Sequence, residues 1–323
     1  MEATAKCGRP STALAKERFE MDDLLERGRA LVEESINFGV THMRAFVEVD
    51  PTVRAMCLDV GLLLKGEFKD RCLIQLCVFA QDPIYSRSDH AEMQMLLTAA
   101  VRAEGVSCIG SAPYVERSSE DLRRNISFVI GLAAQHDLLM DFHLDYNIDP
   151  RTPSTIPDLL RALKDSKWNG TNQVTLGHCT RLTLLERQEW DNLRWDIWPK
   201  PISFVGLPTS DLFMMGRPSD DAGGGVRPRA TLQIPQMIKE HHLEGAIGVN
   251  NVGNAFTPQG SCDPLALASM GVGIYQCSTT ADTEILMVRL PPSDLAPLQL
   301  SYESGPAVSF MLTRQRESPY TDR

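Results

Sequence analysis

Phe142 to Asp149 reads FHLDYNID, and the reading of this stretch decides the fold. It overlaps an apolar run, Leu138 to Leu144, which reads as a strand and carries His143 and then Asp145 at its C-terminal end. The same unit follows once more: Gln173 to Gly177 is strand-like and runs directly into His178 and Cys179. A strand that ends on polar side chains and is followed by a helical pattern is the repeating unit of a parallel α/β fold.

The unit extends outward in both directions. Upstream, Asp22 or Asp23 can cap a helix with Leu24, Leu25, Gly28, Leu31, Val32 and Ile36 on one face and Gly39 as its stop. Strands are predicted at Thr41 to Val49, Cys72 to Ala80 and Val106 to Ala112. Helices are predicted over 52–65, after Ser88 or Asp89, and from Ser118. Downstream, helices at 155–166, 181–195 and 231–243 alternate with strands at Ile202 to Gly206 and Gly245 to Val249, and two or three helices run from Asp263 to about Leu312. Glu48, Gln81, His143, Asp145, His178, Asn250 and Asn251 all fall at strand C-terminal ends. Polar groups at nearly every strand end are a barrel pattern, whereas a doubly wound open sheet gathers them at one switch point.

The predicted architecture is therefore a TIM-like (β/α) barrel in a single domain over 21–312, with a mobile arm at 1–20 and a loose tail at 313–323. Seven strands are countable, so the first strand of an eight-strand barrel is missing or replaced. Bare strand edges are normally covered, and the N-terminal arm or a second subunit of a homo-oligomer is expected there. The segment Gly216 to Ala230, with Gly223-Gly224-Gly225, is too rich in Gly, Pro and charge for regular structure and is expected to act as a lid.

Composition limits the function. The chain has 323 residues, 43% hydrophobic and 23% charged, with a net charge of −10, enough to bury a core without disulfides or metal. The acidic balance argues against nucleic acid as a partner, and no apolar run is long enough for a membrane span. Met1 to Phe19 has no apolar signal core, and eight cysteines without a C-x-x-C pair read as buried free thiols. The expected setting is cytoplasmic and the expected partner a small molecule.

His143 and His178, on adjacent strand ends, could share a divalent metal or could each be a hydrogen-bonded pocket residue, since zinc needs three or four ligands. His241-His242 reads as a solvated helix end. Arg44 shares a strand face with Glu48, and the two could meet to hold a substrate carboxylate or form a structural ion pair.

Several stretches carry a resemblance. FHLDYNID resembles an HCDE motif, and VTLGHCTRL (174–182) an SHTT strand end. VFAQDPIYS (78–86) resembles a VAFPQ strand, THMRAFVEVD (41–50) an HVRTHVDV strand, and LPTSDLFMMGRP (207–218) an NPLVNLHLQGR loop. AIGVNNVGNAFTPQGSCDPLALASMGVGIYQ (246–276) resembles the FGHDD region. All belong to the cytosine deaminase-like branch of the amidohydrolase superfamily, and they occur here in family order over 22–312. The resemblance implies that His143 and His178 match metal or metal-water contacts and that Gln81 matches the substrate-amide reader. It also marks departures. Nothing matches the H-x-H pair of the first strand, because the sequence starts beyond it. Asn250 stands where the metal-binding aspartate stands, Asn251 where the next aspartate stands, and Tyr146 where the proton-shuttling glutamate stands.

A hydrolytic metal has to lower the pKa of bound water and needs a base beside it. Asparagine supplies neither, so no cofactor and no metal are expected, with His143 and His178 the ligands if zinc or iron is retained. The remaining groups form an acid/base set: His143, His178, Asp145 and Tyr146 as catalytic candidates, and Gln81, Arg44, Glu48, Asn250 and Asn251 for substrate binding. The expected function is a metal-independent elimination, isomerisation or cyclisation of a carbonyl- or amide-bearing compound. The alternatives are a zinc- or iron-dependent hydrolase or deaminase of cyclic amides or amidines with altered ligands, and a non-catalytic binding protein.

Overall fold

Alternation of strand and helix organises the chain from Met21 onward. The computed structural model describes residues 14–216, 228–254 and 256–288, and the strand 307–311. The strands are β1 His42–Glu48, β2 Leu73–Ala80, β3 Val106–Ser111, β4 Leu139–Leu144, β5 Val174–His178, β6 Ile202–Gly206, β7 Gly245–Ile247 and β8 Ala307–Met311. The helices between them are α1 Met21–Asn37, α2 Met56–Glu67, α3 His90–Ala100, α4 Ser119–His136, α5 Ile156–Asp165, α6 Arg187–Ile197, α7 Pro208–Met214 and α8 Ile234–His241. After β7 come α9 Pro264–Ile274 and α10 Thr280–Val288.

Local chemistry sets several boundaries. Ser118 Oγ accepts the Asp121 N–H at the start of α4, and Asp137, in the left-handed region at φ 53°, ends it. Glu186 and Glu189 form a reciprocal capping box on α6. Asp22 and Asp23 lie inside the first turn of α1 and do not cap it; there they face the positive end of the helix dipole.

Neighbouring strands run parallel in the order β7-β6-β5-β4-β3-β2-β1-β8. The sheet curves as a TIM-like α/β arrangement, but the barrel is not closed: β7 and β8 are its two ends. Residues 307–311 pair in parallel with His42 to Phe46 on the edge where the first strand was missing. This corrects two expectations. The element paired with that edge is residues 307–311 of the same chain and not the N-terminal arm, and the stretch before Leu312 contains a strand where only helices were expected. Ala307–Met311 (AVSFM) is a five-residue apolar run, too short for periodicity to separate helix from strand, and the unpaired backbone of β1 decides it.

Apolar residues occupy two compartments. Outward side chains such as Met43, Val47, Leu76 and Val78 pack under the helices in the larger one. Inward side chains Phe46, Cys77, Phe79, Cys108 and Ala112 form a smaller one inside the curve of the sheet. Seven of the cysteines lie among the described residues, and all are free thiols. No helix of the described residues is long and apolar enough to cross a membrane. The tail after Thr313, and most of the expected Gly216 to Ala230 lid including its glycine run, lie outside the described residues.

His241 corrects a further expectation. It is buried, not solvated, and stacks on Trp190 of α6 with ring centroids 4.8 Å apart and planes 8° apart. It belongs to the seam between α6 and α8.

Gly110 in β3 has no room for a side chain. A Cβ there would lie 2.2 Å from the Asp141 carbonyl oxygen of β4 and 2.8 Å from the Phe79 ring. A backbone atom cannot give way as a side chain can, so Gly110→Ala should destabilise the protein by about 1–3 kcal/mol, the usual cost of overpacking. Urea unfolding should show a lower midpoint at an unchanged m-value.

Candidate functional site

The register of β4 on β5 brings the two histidines together. His143 lies opposite Gly177, and Leu144 opposite His178. Gly177 is required by its neighbour, because a Cβ would sit 2.7 Å from His143 Cδ2. The His143 ring therefore lies across β5, walled by Phe46 and Phe79 at centroid distances of 5.5 and 4.7 Å. Strict alternation would turn His178 away from Thr175 and Gly177. Left-handed backbone at His178 (φ 66°) and Cys179 (φ 45°) breaks the alternation, and the His178 ring meets the His143 ring edge-on at 4.8 Å. Tyr146 covers His178 at 4.1 Å, with Tyr114 behind Tyr146 at 5.5 Å.

Asp211 of α7 completes the arrangement. Its Oδ1 accepts from His178 Nδ1 at 2.7 Å, and its Oδ2 accepts from Thr231 Oγ1 at 2.8 Å. This fixes the His178 tautomer and leaves Nε2 as the nitrogen available for chemistry. The adjacent Ser210 accepts from Asn250 Nδ2 at 2.7 Å, so one short helix links the ends of β5 and β7. Burial raises the Asp211 carboxyl, and contact with His178 opposes that rise. Burial, aided by the nearby His178, holds His143 well below the usual imidazole range. His143 is a neutral imidazole at pH 7.

The sequence-predicted residues divide. His143, His178 and Tyr146 come together as expected. Asp145 sits beside them in the chain, but its carboxylate accepts from Ser154 Oγ, Thr155 N and Thr155 Oγ1. It anchors the entry to α5, and Asp211 takes the orienting role expected of Asp145. Arg44 and Glu48 do not meet. Arg44 donates to Gln75 at 2.6 Å, Asp141 at 2.7 Å and Thr175 at 2.9 Å inside the sheet. Glu48 instead pairs with Lys16 of the arm expected to be mobile. The Lys16 ammonium also reaches Asp50 at 2.9 Å and Asp82 at 3.0 Å. Burial pushes the Glu48 carboxyl up to about 7 against the pull of Lys16. Burial would lower the Lys16 ammonium, but Glu48, Asp82 and Asp50 outweigh it and raise it. Gln81 is half-buried beyond the end of β2. Asn251 is buried, and its Oδ1 has no hydrogen-bond partner among the described residues.

Asp211 and Lys16 are the residues that sequence reasoning missed. Asp211 lies within LPTSDLFMMGRP, a stretch already singled out, but only the fold shows that it faces His178. Lys16 had no signal, being one lysine in a polar arm.

The donor set fits a catalytic zinc or iron poorly. His143 and His178 can each offer one ring nitrogen, but Asn250 offers only a neutral amide, and the third candidate, Asp145, is turned into its own loop. Two imidazoles fall short of the three protein ligands of a catalytic zinc site. Among the described residues, Glu48, Asp50 and Asp82 are the one group of three metal-type donors close enough to share an ion, and the Lys16 ammonium lies among them.

The buried neutral His143 has a consequence for stability. Its folded pKa is depressed, so below about pH 6.5 the unfolded chain takes up a proton that the folded chain refuses, and stability falls as pH falls. The slope for one such proton is about 1.4 kcal/mol per pH unit. Glu48, whose folded carboxyl is raised to about 7, contributes in the opposite sense over the same range, so the His143 contribution is read as a difference: in urea titrations from pH 7 to 5 the stability of His143→Leu relative to wild type should rise as pH falls.

No protein-family model and no curated protein matches the chain. Solved structures do. The 5-methylcytosine deaminase of Klebsiella pneumoniae, liganded with phosphonocytosine, superposes with a TM-score of 0.73 at 21% identity, over 84% of this chain and 63% of the deaminase. Its complex with 5-fluorocytosine gives the same TM-score. The N-isopropylammelide isopropylaminohydrolase of Burkholderia multivorans ATCC 17616 gives a TM-score of 0.63 at 20% identity, over 80% of this chain and 59% of the other. The chain thus spans a little under two thirds of the length of these relatives. Its structural neighbours are hydrolases of the superfamily that its motifs resemble, and it shares their fold.

Proposed function

We propose that the chain is an enzyme of amidohydrolase ancestry whose acid/base centre is the Asp211–His178 pair facing His143, working without a metal ion. The observation that carries this reading is the buried 2.7 Å contact between His178 Nδ1 and Asp211, with a second imidazole 4.8 Å away. An imidazole oriented by a carboxylate at one ring nitrogen can take a proton at the other and return it. The neutral His143 can accept or donate a hydrogen bond at the same position. Tyr146, tilted over His178, is suited to shaping the pocket. Asn250, Asn251 and Gln81 supply amide groups, and the unmet Asn251 Oδ1 favours a ligand with an N–H to donate. These features suit elimination, isomerisation or cyclisation of a compact carbonyl- or amide-bearing compound.

The reading is tested by NMR-monitored turnover in deuterium oxide against a panel of small ureides, lactams and keto compounds. A converted compound should be processed at least about 10²-fold more slowly by His178→Ala and by His143→Ala, the usual worth of a general acid or base. Near-wild-type turnover by both folded variants would remove the histidines from the chemistry. Asp211→Asn should also lower kcat, by withdrawing the carboxylate from His178.

Metal analysis separates this reading from its nearest rival. Protein purified without chelator should carry far less than one equivalent of zinc or iron and should release little or no ammonia from cytosine. One tightly held equivalent, or robust ammonia release, would favour a metal-dependent hydrolase or deaminase with an altered ligand set.

A further inference from the structure

We propose that residues 14–20 form a strap across the C-terminal ends of β1 and β2 that restricts access to the His143–His178 site, and that the Lys16 ammonium is the fastening that holds it shut. Lys16 is 5% exposed, although residues 14, 17, 18 and 20 around it are exposed. Its ammonium is enclosed by Glu48 at the end of β1, Asp50 just beyond it and Asp82 beyond β2. These carboxylates belong to the same rim as the site. Glu48 shares the inward face of β1 with Phe46, two residues earlier, and the Phe46 ring is one wall of His143. Lys16 therefore lies about one side-chain layer above the wall of the site, on the side where Gln81 leads into Asp82.

The rest of the strap is held lightly. A single turn is closed by backbone bonds internal to it, Arg18 N to Ala15 O at 3.0 Å and Phe19 N to Lys16 O at 3.2 Å. Phe19 packs half-buried against the core, with the Arg27 guanidinium 5.4 Å from its ring centroid. A segment with one buried charged anchor and one half-buried ring opens locally at far lower cost than the sheet beneath it. Three carboxylates around one ammonium make that anchor electrostatic, and Asp82, with its side chain 41% exposed, is where water reaches it. The inference depends on where the site lies and not on what chemistry occurs there, so it can fail while the proposed acid/base function stands, and the reverse.

Hydrogen exchange of residues 14–20, together with carbethoxylation of histidines by diethyl pyrocarbonate mapped on peptides, tests the strap on the full chain. Lys16→Met keeps an unbranched side chain one atom shorter and removes its charge. It should abolish protection of 14–20 and speed modification of His143 or His178 by about tenfold or more, while the exposed His90 reacts as before. Unchanged protection of 14–20 would show that Lys16 is not the fastening. Lost protection with unchanged rates at both site histidines would show that the strap does not restrict access. Either result overturns the proposal. If Lys16→Met fails to fold, Asp82→Asn takes its place, since its side chain reaches solvent. It should shift both readouts in the same direction by a smaller factor, and wild-type values for either readout would overturn the proposal.

Discussion

A charge taken inside a protein must be neutralised where it sits, and the interior of this sheet follows from that constraint. Arg44 is placed by Asp141, Gln75 and Thr175, drawn from three other strands. His178 is placed by Asp211, and Lys16 by three carboxylates. The Glu116 carboxylate is met by the backbone N–H groups of Ile84, Tyr85 and Ser86 and by the Asn125 amide. Each cluster joins elements far apart in the chain. Breaking a buried pair from one side costs about 3–5 kcal/mol, although the intact pair adds little net stability. Their effect is one of geometry: they specify which strand faces which, and they hold the site side chains in a single arrangement.

The same constraint explains what could be read from the sequence. The period of the apolar residues located β1 to β7 and most of the helices, because burial of one face acts locally. Pairing of charges does not act locally. Arg44 and Glu48 share a strand face, but four residues along a strand span about 13 Å, beyond the reach of the two side chains. Each took a partner from elsewhere, Arg44 across the sheet and Glu48 from the N-terminal arm. Asp145 was read as an imidazole partner from its place in FHLDYNID, yet its left-handed backbone (φ 49°) goes with a carboxylate bound to Ser154 and Thr155. Asp211, 33 residues after His178, takes that role, and no spacing rule connects the two. The strand at 307–311 was illegible for a related reason: its five residues form a strand because β1 presents an unpaired edge.

Among the described residues, four of the eight non-glycine positions with positive φ lie at the strand ends of the site. Asp145, His178, Cys179 and Asn250, at the ends of β4, β5 and β7, all have positive φ. The left-handed region costs an ordinary L-residue about 1–2 kcal/mol, and less for Asp and Asn. Such strain persists only where surrounding contacts over-determine it. Here the contacts are visible: the Asn250–Ser210 bond, the His178–Asp211 bond, and the Cys179 N–H donated to the Leu144 carbonyl at 3.1 Å. The strand ends turn so that β4, β5 and β7 present their side chains to one place.

The two histidines are chemically unequal, and this is the basis of the acid/base reading. Asp211 holds Nδ1 of His178 and leaves Nε2 as the ring nitrogen open to a ligand. Among the described residues His143 has no such partner at bonding distance: its Nε2 is 3.9 Å from an Asp141 carboxylate that binds Arg44. Two imidazoles in edge contact cannot both be charged at low cost, so protonation of His178 disfavours protonation of His143. In the proposed acid/base reading His178 is the proton carrier, and the neutral His143 is the hydrogen-bonding partner of the ligand. Pairs of titratable groups pushed apart by their surroundings divide the acid and base roles between them. Asn250, which is uncharged, leaves that division undisturbed where an aspartate would add a third charge.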